Sequence, residues 1–145
     1  MAGIIITGHG HFASGMENSL GMLVGKQEFL KAVNFEDGHD ETILKENLRN
    51  AYDLIENKDV VFVLCDILGG SPFKNSVECF FEKENVKIAY GVNLGMIIEL
   101  TMKCMVMEDA DDVEQIIDEV IQAGKASMDQ FVFLPKGDDS LEEGI

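Results

Sequence analysis

Residues 60–73 read Val60-Val61-Phe62-Val63-Leu64-Cys65-Asp66-Ile67-Leu68-Gly69-Gly70-Ser71-Pro72-Phe73. Six consecutive apolar residues end in an acid, and a Gly-Gly-Ser-Pro turn follows. A strand with one wet face alternates apolar and polar residues, whereas a strand covered on both faces is apolar throughout. Val60–Cys65 is the clearest strand of the second kind in the chain.

Three more short apolar runs accompany it: Gly3–Thr7, a continuous isoleucine run, Phe29–Phe35 and Val86–Tyr90. Helical patterns near Phe12–Val24, Glu41–Glu56 and Phe73–Lys83 separate them. Strands alternating with helices imply parallel pairing through right-handed crossovers. The expected fold is therefore α/β, an open doubly wound sheet of four parallel strands covered by helices, with the order 2-1-3-4 taken by analogy from the common doubly wound arrangement. Two further helices are expected at Leu94–Met105 and Asp111–Met128, the latter opening on acids that suit the positive end of its dipole. A fifth apolar run, Gln130–Leu134, ends at Pro135 and suits an antiparallel strand at a sheet edge or one lent to a second subunit.

The 145 residues suit one domain, residues 1–135, with a loose tail over 136–145. The 46% apolar content is enough to build a core. With 27 acids against 11 bases the formal charge is -16, which argues against nucleic acid and anionic membranes as partners. The start of the chain lacks the basic residues and long apolar run of a signal peptide, so a cytoplasmic protein is expected. Cys65, Cys79 and Cys104 lack metal-ligand spacing and read as reduced thiols, with Cys65 a core residue.

The unusual residues fall just after strands: Gly8-His9-Gly10-His11 after the first, Asp66 to Phe73 after the third, and Gly91-Val92-Asn93-Leu94-Gly95 after the fourth. In open α/β sheets the ligand crevice lies outside the carboxyl ends of the strands, where the strand order reverses. In the order 2-1-3-4 that reversal sets His9 opposite Asp66. A carboxylate on one ring N–H fixes the imidazole's tautomer and leaves the other nitrogen as a nucleophile. Ser71 as cap of a helix starting at Pro72, together with free N–H groups, makes an anion cradle. Histidine beside such a cradle points to phosphoryl transfer. Separately, His9 reads as a structural hydrogen-bonding residue and Gly-Gly-Ser-Pro as a turn; only their common position favours chemistry. A His9/His11 metal pair lacks a third ligand with suitable spacing, so no metal is expected.

Three blocks, Ile6-Thr7-Gly8-His9-Gly10, Asp66 to Phe73, and Gly91-Val92-Asn93-Leu94 followed by Glu99, resemble the IIA domain of the mannose/fructose/sorbose class of the bacterial sugar phosphotransferase system (PTS). Thr7 to Gly15 and the C-terminal Glu143-Gly144-Ile145 look closest to its N-acetylgalactosamine/galactosamine branch. The resemblance implies a phosphotransferase without bound cofactor. His9 would accept a phosphoryl group on Nε2 from phospho-HPr and pass it to the IIB component, and so serve the IIC/IID membrane components. Asp66 would hold Nδ1–H. Gly10, Gly69, Gly70 and Ser71 would bind the phosphoryl group, with His11 and Asn93 on the site rim. A homodimer exchanging its last strand is also implied.

Two other readings compete. One is a regulatory or sensing module that binds a phosphorylated ligand without covalent transfer; the other is a metal-dependent enzyme using His9 and His11. The carrier reading expects a docking face less acidic than the rest of the chain, and no acid lies between Met1 and Met16.

Overall fold

The computed structural model describes residues 1–135. Its elements run β1 (Ala2–His9), α1 (Phe12–Val24), β2 (Leu30–Phe35), α2 (Glu41–Leu54), β3 (Val60–Cys65), α3 (Ser71–Phe80), β4 (Val86–Ala89), α4 (Leu94–Met105) and α5 (Val113–Ala126). The four strands form one sheet in the order β2-β1-β3-β4, and every neighbouring pair is parallel. This is the architecture expected from the alternation of apolar runs.

Register explains why β3 is apolar at every position and why β1 carries the unbroken run Ile4-Ile5-Ile6. Ile4 pairs with Phe62 and Ile6 with Leu64, while Ile5 pairs with Val63 between them. Paired residues share a face, so successive rows point to opposite sides. Ile4, Ile6, Phe62 and Leu64 pack with Leu20 of α1, Ile97 and Leu100 of α4, and Val120 of α5. Ile5, Val61, Val63 and Cys65 pack on the other side with Leu44 and Leu48 of α2 and Phe80 of α3. All of these side chains are buried, and each large one contributes roughly 1.5–3 kcal/mol relative to an exposed position.

Several element ends differ from expectation. Strand β1 continues past Thr7 because β2 keeps pairing with it, Gly8 beside Asn34 and His9 beside Phe35. Helix α2 stops at Leu54, where Ile55 turns extended and buries itself. Helix α3 is capped by Gly70, not by Ser71. Gly70 holds the extended backbone of a cap (φ -75°, ψ 172°), Ser71 is already helical, and no side chain accepts a capping bond. Proline then occupies the first turn, where its missing N–H costs nothing. The acids opening α5 behave as expected, with Asp112 accepting the N–H groups of Glu114 and Gln115.

Gln130–Leu134 forms no strand among the described residues, and Phe131, Val132 and Phe133 are exposed. The expected tail, 136–145, lies outside the described residues. All three cysteines are unpaired; burial pushes the Cys65 and Cys104 thiols up to about 12, which makes both inert core groups. No helix among the described residues is long and apolar enough to cross a membrane.

Candidate functional site

The adjacency of β1 and β3 brings residues 57 positions apart into contact. As the chain leaves β3, the Asp66 N–H donates to the Thr7 carbonyl at 3.2 Å, which holds Asp66 against the end of β1. Its carboxylate then accepts three N–H groups. Oδ2 takes the His9 backbone N–H at 2.9 Å and His9 Nδ1 at 2.7 Å, and Oδ1 takes the Ile67 N–H at 2.9 Å. Gly8 makes the approach possible: a Cβ there would sit 2.5 Å from Phe12 Cδ1 and 3.0 Å from Asp66 Cβ. The small residue therefore accommodates the protein's own packing of Phe12 and Asp66.

A carboxylate only accepts hydrogen bonds, so Nδ1 carries the imidazole proton and Nε2 keeps a free lone pair. Desolvation raises the Asp66 carboxyl, but the His9 backbone N–H, the His9 ring and the Ile67 N–H outweigh it and hold it below the usual carboxylate range. The His9 side chain is 46% exposed and that of Asp66 only 12%. The imidazole is thus half exposed while the carboxylate that holds it is sheltered.

Two further elements border the ring. The Phe35 ring at the end of β2 meets it edge-on at 6.1 Å. On another side stands Gly70, where a Cβ would lie 2.5 Å from His9 Cε1 and 3.1 Å from Nε2. Nε2 therefore borders the N-terminus of α3, whose first-turn N–H groups, among them Ser71 and Phe73, have no partner within the helix. Gly69 adopts a positive φ of 84° to turn the chain into that helix. An anion placed between Nε2 and this terminus meets open N–H donors and the positive end of the helix dipole.

The other expected site residues divide. Gly10 turns with φ 59°, but its N–H is spent on the Phe35 carbonyl at 2.7 Å and is not free for a ligand. Asn93 caps α4 through Met96 N–H at 3.0 Å and donates to the Gly124 carbonyl at 2.9 Å, which joins α4 to α5. His11 contacts Glu36 and not His9: its Nε2 lies 2.5 Å from Glu36 Oε1. Phe35 borders the site from the end of β2 and Glu36 follows it, so the signal for both in the sequence is the end of the second apolar run. Among the described residues no group of three or more His, Cys, Asp or Glu is placed to hold a metal ion.

Comparison with known proteins fits this geometry. The EIIA-man family model, described as the PTS system fructose IIA component, matches residues 3–117. The chain belongs to this family. Over 100 residues it is 34% identical to the fructose-specific EIIA component of Bacillus subtilis, covering 69% of this chain and 68% of the relative. It is 28% identical over 123 residues to the mannose-specific EIIAB component of Escherichia coli K12, covering 84% of this chain but only 37% of that longer protein. The crystal structure of an EIIA component from Streptococcus agalactiae superposes with a TM-score of 0.78 at 29% identity, covering 90% of this chain and 97% of that one. A mannose/sorbose-specific IIA subunit from Enterococcus faecalis shares the fold, with a TM-score of 0.75 at 21% identity. This mannose/fructose-class IIA chain therefore carries His9, Asp66 and the α3 terminus on a fold its relatives share.

The depressed Asp66 pKa sets a pH dependence. A carboxyl lowered on folding contributes stability that is fully present above its unfolded value, about 4, and is lost as the pH falls through the lower folded value. Wild type is therefore expected to exceed Asp66→Asn by about 1–3 kcal/mol at neutral pH in urea unfolding. That margin should shrink steadily below about pH 4; a margin independent of pH would show that the ionised carboxylate is not what the N–H groups hold.

Proposed function

We propose that this IIA chain is a phosphocarrier in which His9 accepts a phosphoryl group from phospho-HPr and passes it to the IIB component. The observation that carries the reading is the His9–Asp66 pair, with Nδ1 held at 2.7 Å and Nε2 left open beside the α3 terminus. The Nε2 lone pair attacks phosphorus as the bond from phosphorus to the donor breaks. The phosphoryl group moves, the donor leaves with that bond's electron pair, and His9 gains positive ring character that the Asp66 carboxylate offsets. Transfer to IIB repeats the exchange in reverse. No cofactor of its own enters either step.

The cradle is Gly69, Gly70 and Ser71: backbone N–H groups of the turn and first helical residues, with the Ser71 hydroxyl. Gly10 contributes room and a turn, not an amide. In this reading the chain works in the cytoplasm and feeds the IIC/IID membrane components through IIB. The relatives' names give fructose and mannose, and the N-acetylgalactosamine-type branch rests on the sequence blocks alone.

The reading extends to a homodimer. Strand β4 has β3 as its single neighbour among the described residues. Beside it lies a groove of about 330 Å³ lined by Ile88, Tyr90, Met96, Ile121 and Met128. Exposed Phe131 and Phe133 follow α5 directly. An extended Gln130–Leu134 from a second copy pairing with that open edge would cover both.

Incubation with phosphoenolpyruvate, enzyme I and HPr is expected to give an acid-labile, base-stable phosphate on wild type and none on His9→Gln. Full labelling of His9→Gln would overturn the assignment. Gly70→Ala leaves a permitted backbone but puts a methyl group where Nε2 must receive phosphorus. It should fold normally and label at least tenfold more slowly, the scale of a small misplacement of reacting groups. For the dimer, removing residues 130–145 should halve the mass seen in sedimentation; an unchanged mass would rule out the exchanged strand.

A further inference from the structure

We propose that His11 and His39 are positioning residues that hold the Glu36 carboxylate, so that this acid does not repel the phosphorylated donor as it docks over His9. The inference rests on the phosphocarrier reading and assigns a role to a cluster that the transfer step does not use.

The end of β2 brings Glu36 to the site. Phe35 is the register partner of His9, its ring meets the imidazole edge-on, and its carbonyl takes the Gly10 N–H. Glu36 follows immediately, with its side chain 43% exposed on the face a donor must approach. A phosphoryl group carries close to two negative charges at neutral pH. A free carboxylate on the same rim would oppose docking, and more strongly once contact excludes water and lowers the local dielectric.

The carboxylate is not free. His11 Nε2 lies 2.5 Å from Oε1, and His39 Nε2 lies 3.8 Å from Oε2. The His39 tautomer is set locally: its Nδ1 accepts the backbone N–H of Glu36 at 3.1 Å, so the ring proton sits on Nε2 and faces the carboxylate. That arrangement also explains why two histidines and a glutamate do not make a metal site here, since the nitrogen nearest the acid carries a proton where a metal ligand needs a lone pair. His11 stands at the N-cap position of α1 yet makes no side-chain capping bond. Its hydrogen bond goes 25 residues along the chain to Glu36 instead. For a side chain 73% exposed, that choice of partner contributes little to stability, which leaves control of the acid as its effect.

The test is a double-mutant cycle on the full chain, following phosphoryl transfer from phospho-HPr at varied donor concentration and ionic strength. Every variant is first shown to melt within a few degrees of wild type. His11→Ala should slow transfer about two- to fivefold at low salt, the range of an exposed charge interaction. The loss should fall on the apparent KM for the donor and not on the maximal rate, and should fade by about 0.5 M salt as screening sets in. Glu36→Gln should transfer at least as fast as wild type, and adding it to His11→Ala should restore the rate. A wild-type rate for His11→Ala, or no rescue by Glu36→Gln, overturns the inference while labelling of His9 in the same assay leaves the carrier reading intact. Failure of wild type to label at all removes both.

Discussion

Three N–H groups converge on one carboxylate, and the site depends on that convergence. Asp66 holds the His9 backbone, the His9 ring and the Ile67 backbone at 2.7–2.9 Å. One side chain therefore sets the end of β1, the start of the turn into α3 and the direction of the imidazole. A carboxylate with this many donors stays ionised, and an ionised carboxylate fixes the ring proton on Nδ1. Nε2 is free because Nδ1 is occupied.

The convergence in turn needs the sheet order. Asp66 reaches His9 because β3 lies beside β1, and β3 lies beside β1 because both are covered on two faces and belong at the centre of the sheet. Phe35 reaches the ring from β2 on the other flank, and Glu36 follows it in the chain. Helix α3 supplies the remaining wall, and a glycine at its cap allows the helix to approach Nε2 at a distance that any side chain would forbid. The reactive edge is thus a gap between three strand ends and one helix terminus, each placed by core packing that lies well below it.

Charge shapes the rim of this gap as much as geometry does. The first sixteen residues contain no acid, which suggests a neutral docking face when β1 and the first turn of α1 are considered alone. The fold adds Glu36 to that face from a different strand, together with two histidines that engage it. In the proposed carrier reading, a chain with formal charge -16 has reason to manage such an acid near an incoming phosphoryl group, and the pairing found here is one physical means of doing so.

The strands, their parallel pairing and the positions of His9, Asp66 and the Gly-Gly-Ser-Pro turn were legible in the residues themselves, while the strand order came by analogy with the common doubly wound sheet. Apolar runs, helical periods and turn residues act over a few neighbours, and a strand's end is visible wherever its apolar run stops. Apart from the His9–Asp66 pair, the contacts around the site were not legible. Ser71 yielded the cap to Gly70, Gly8 proved to make room for Phe12 and Asp66, and Asn93 joined two helices. His11 turned to Glu36, and Gln130–Leu134 found no place within its own chain. Most of these outcomes depend on atoms brought together across 25 to 58 residues or on backbone angles at a single junction. Local sequence thus determined which elements form and which residues stand at their ends. Only tertiary packing decided which side chains meet there, because distances of a few tenths of an ångström follow from how whole elements fit against one another.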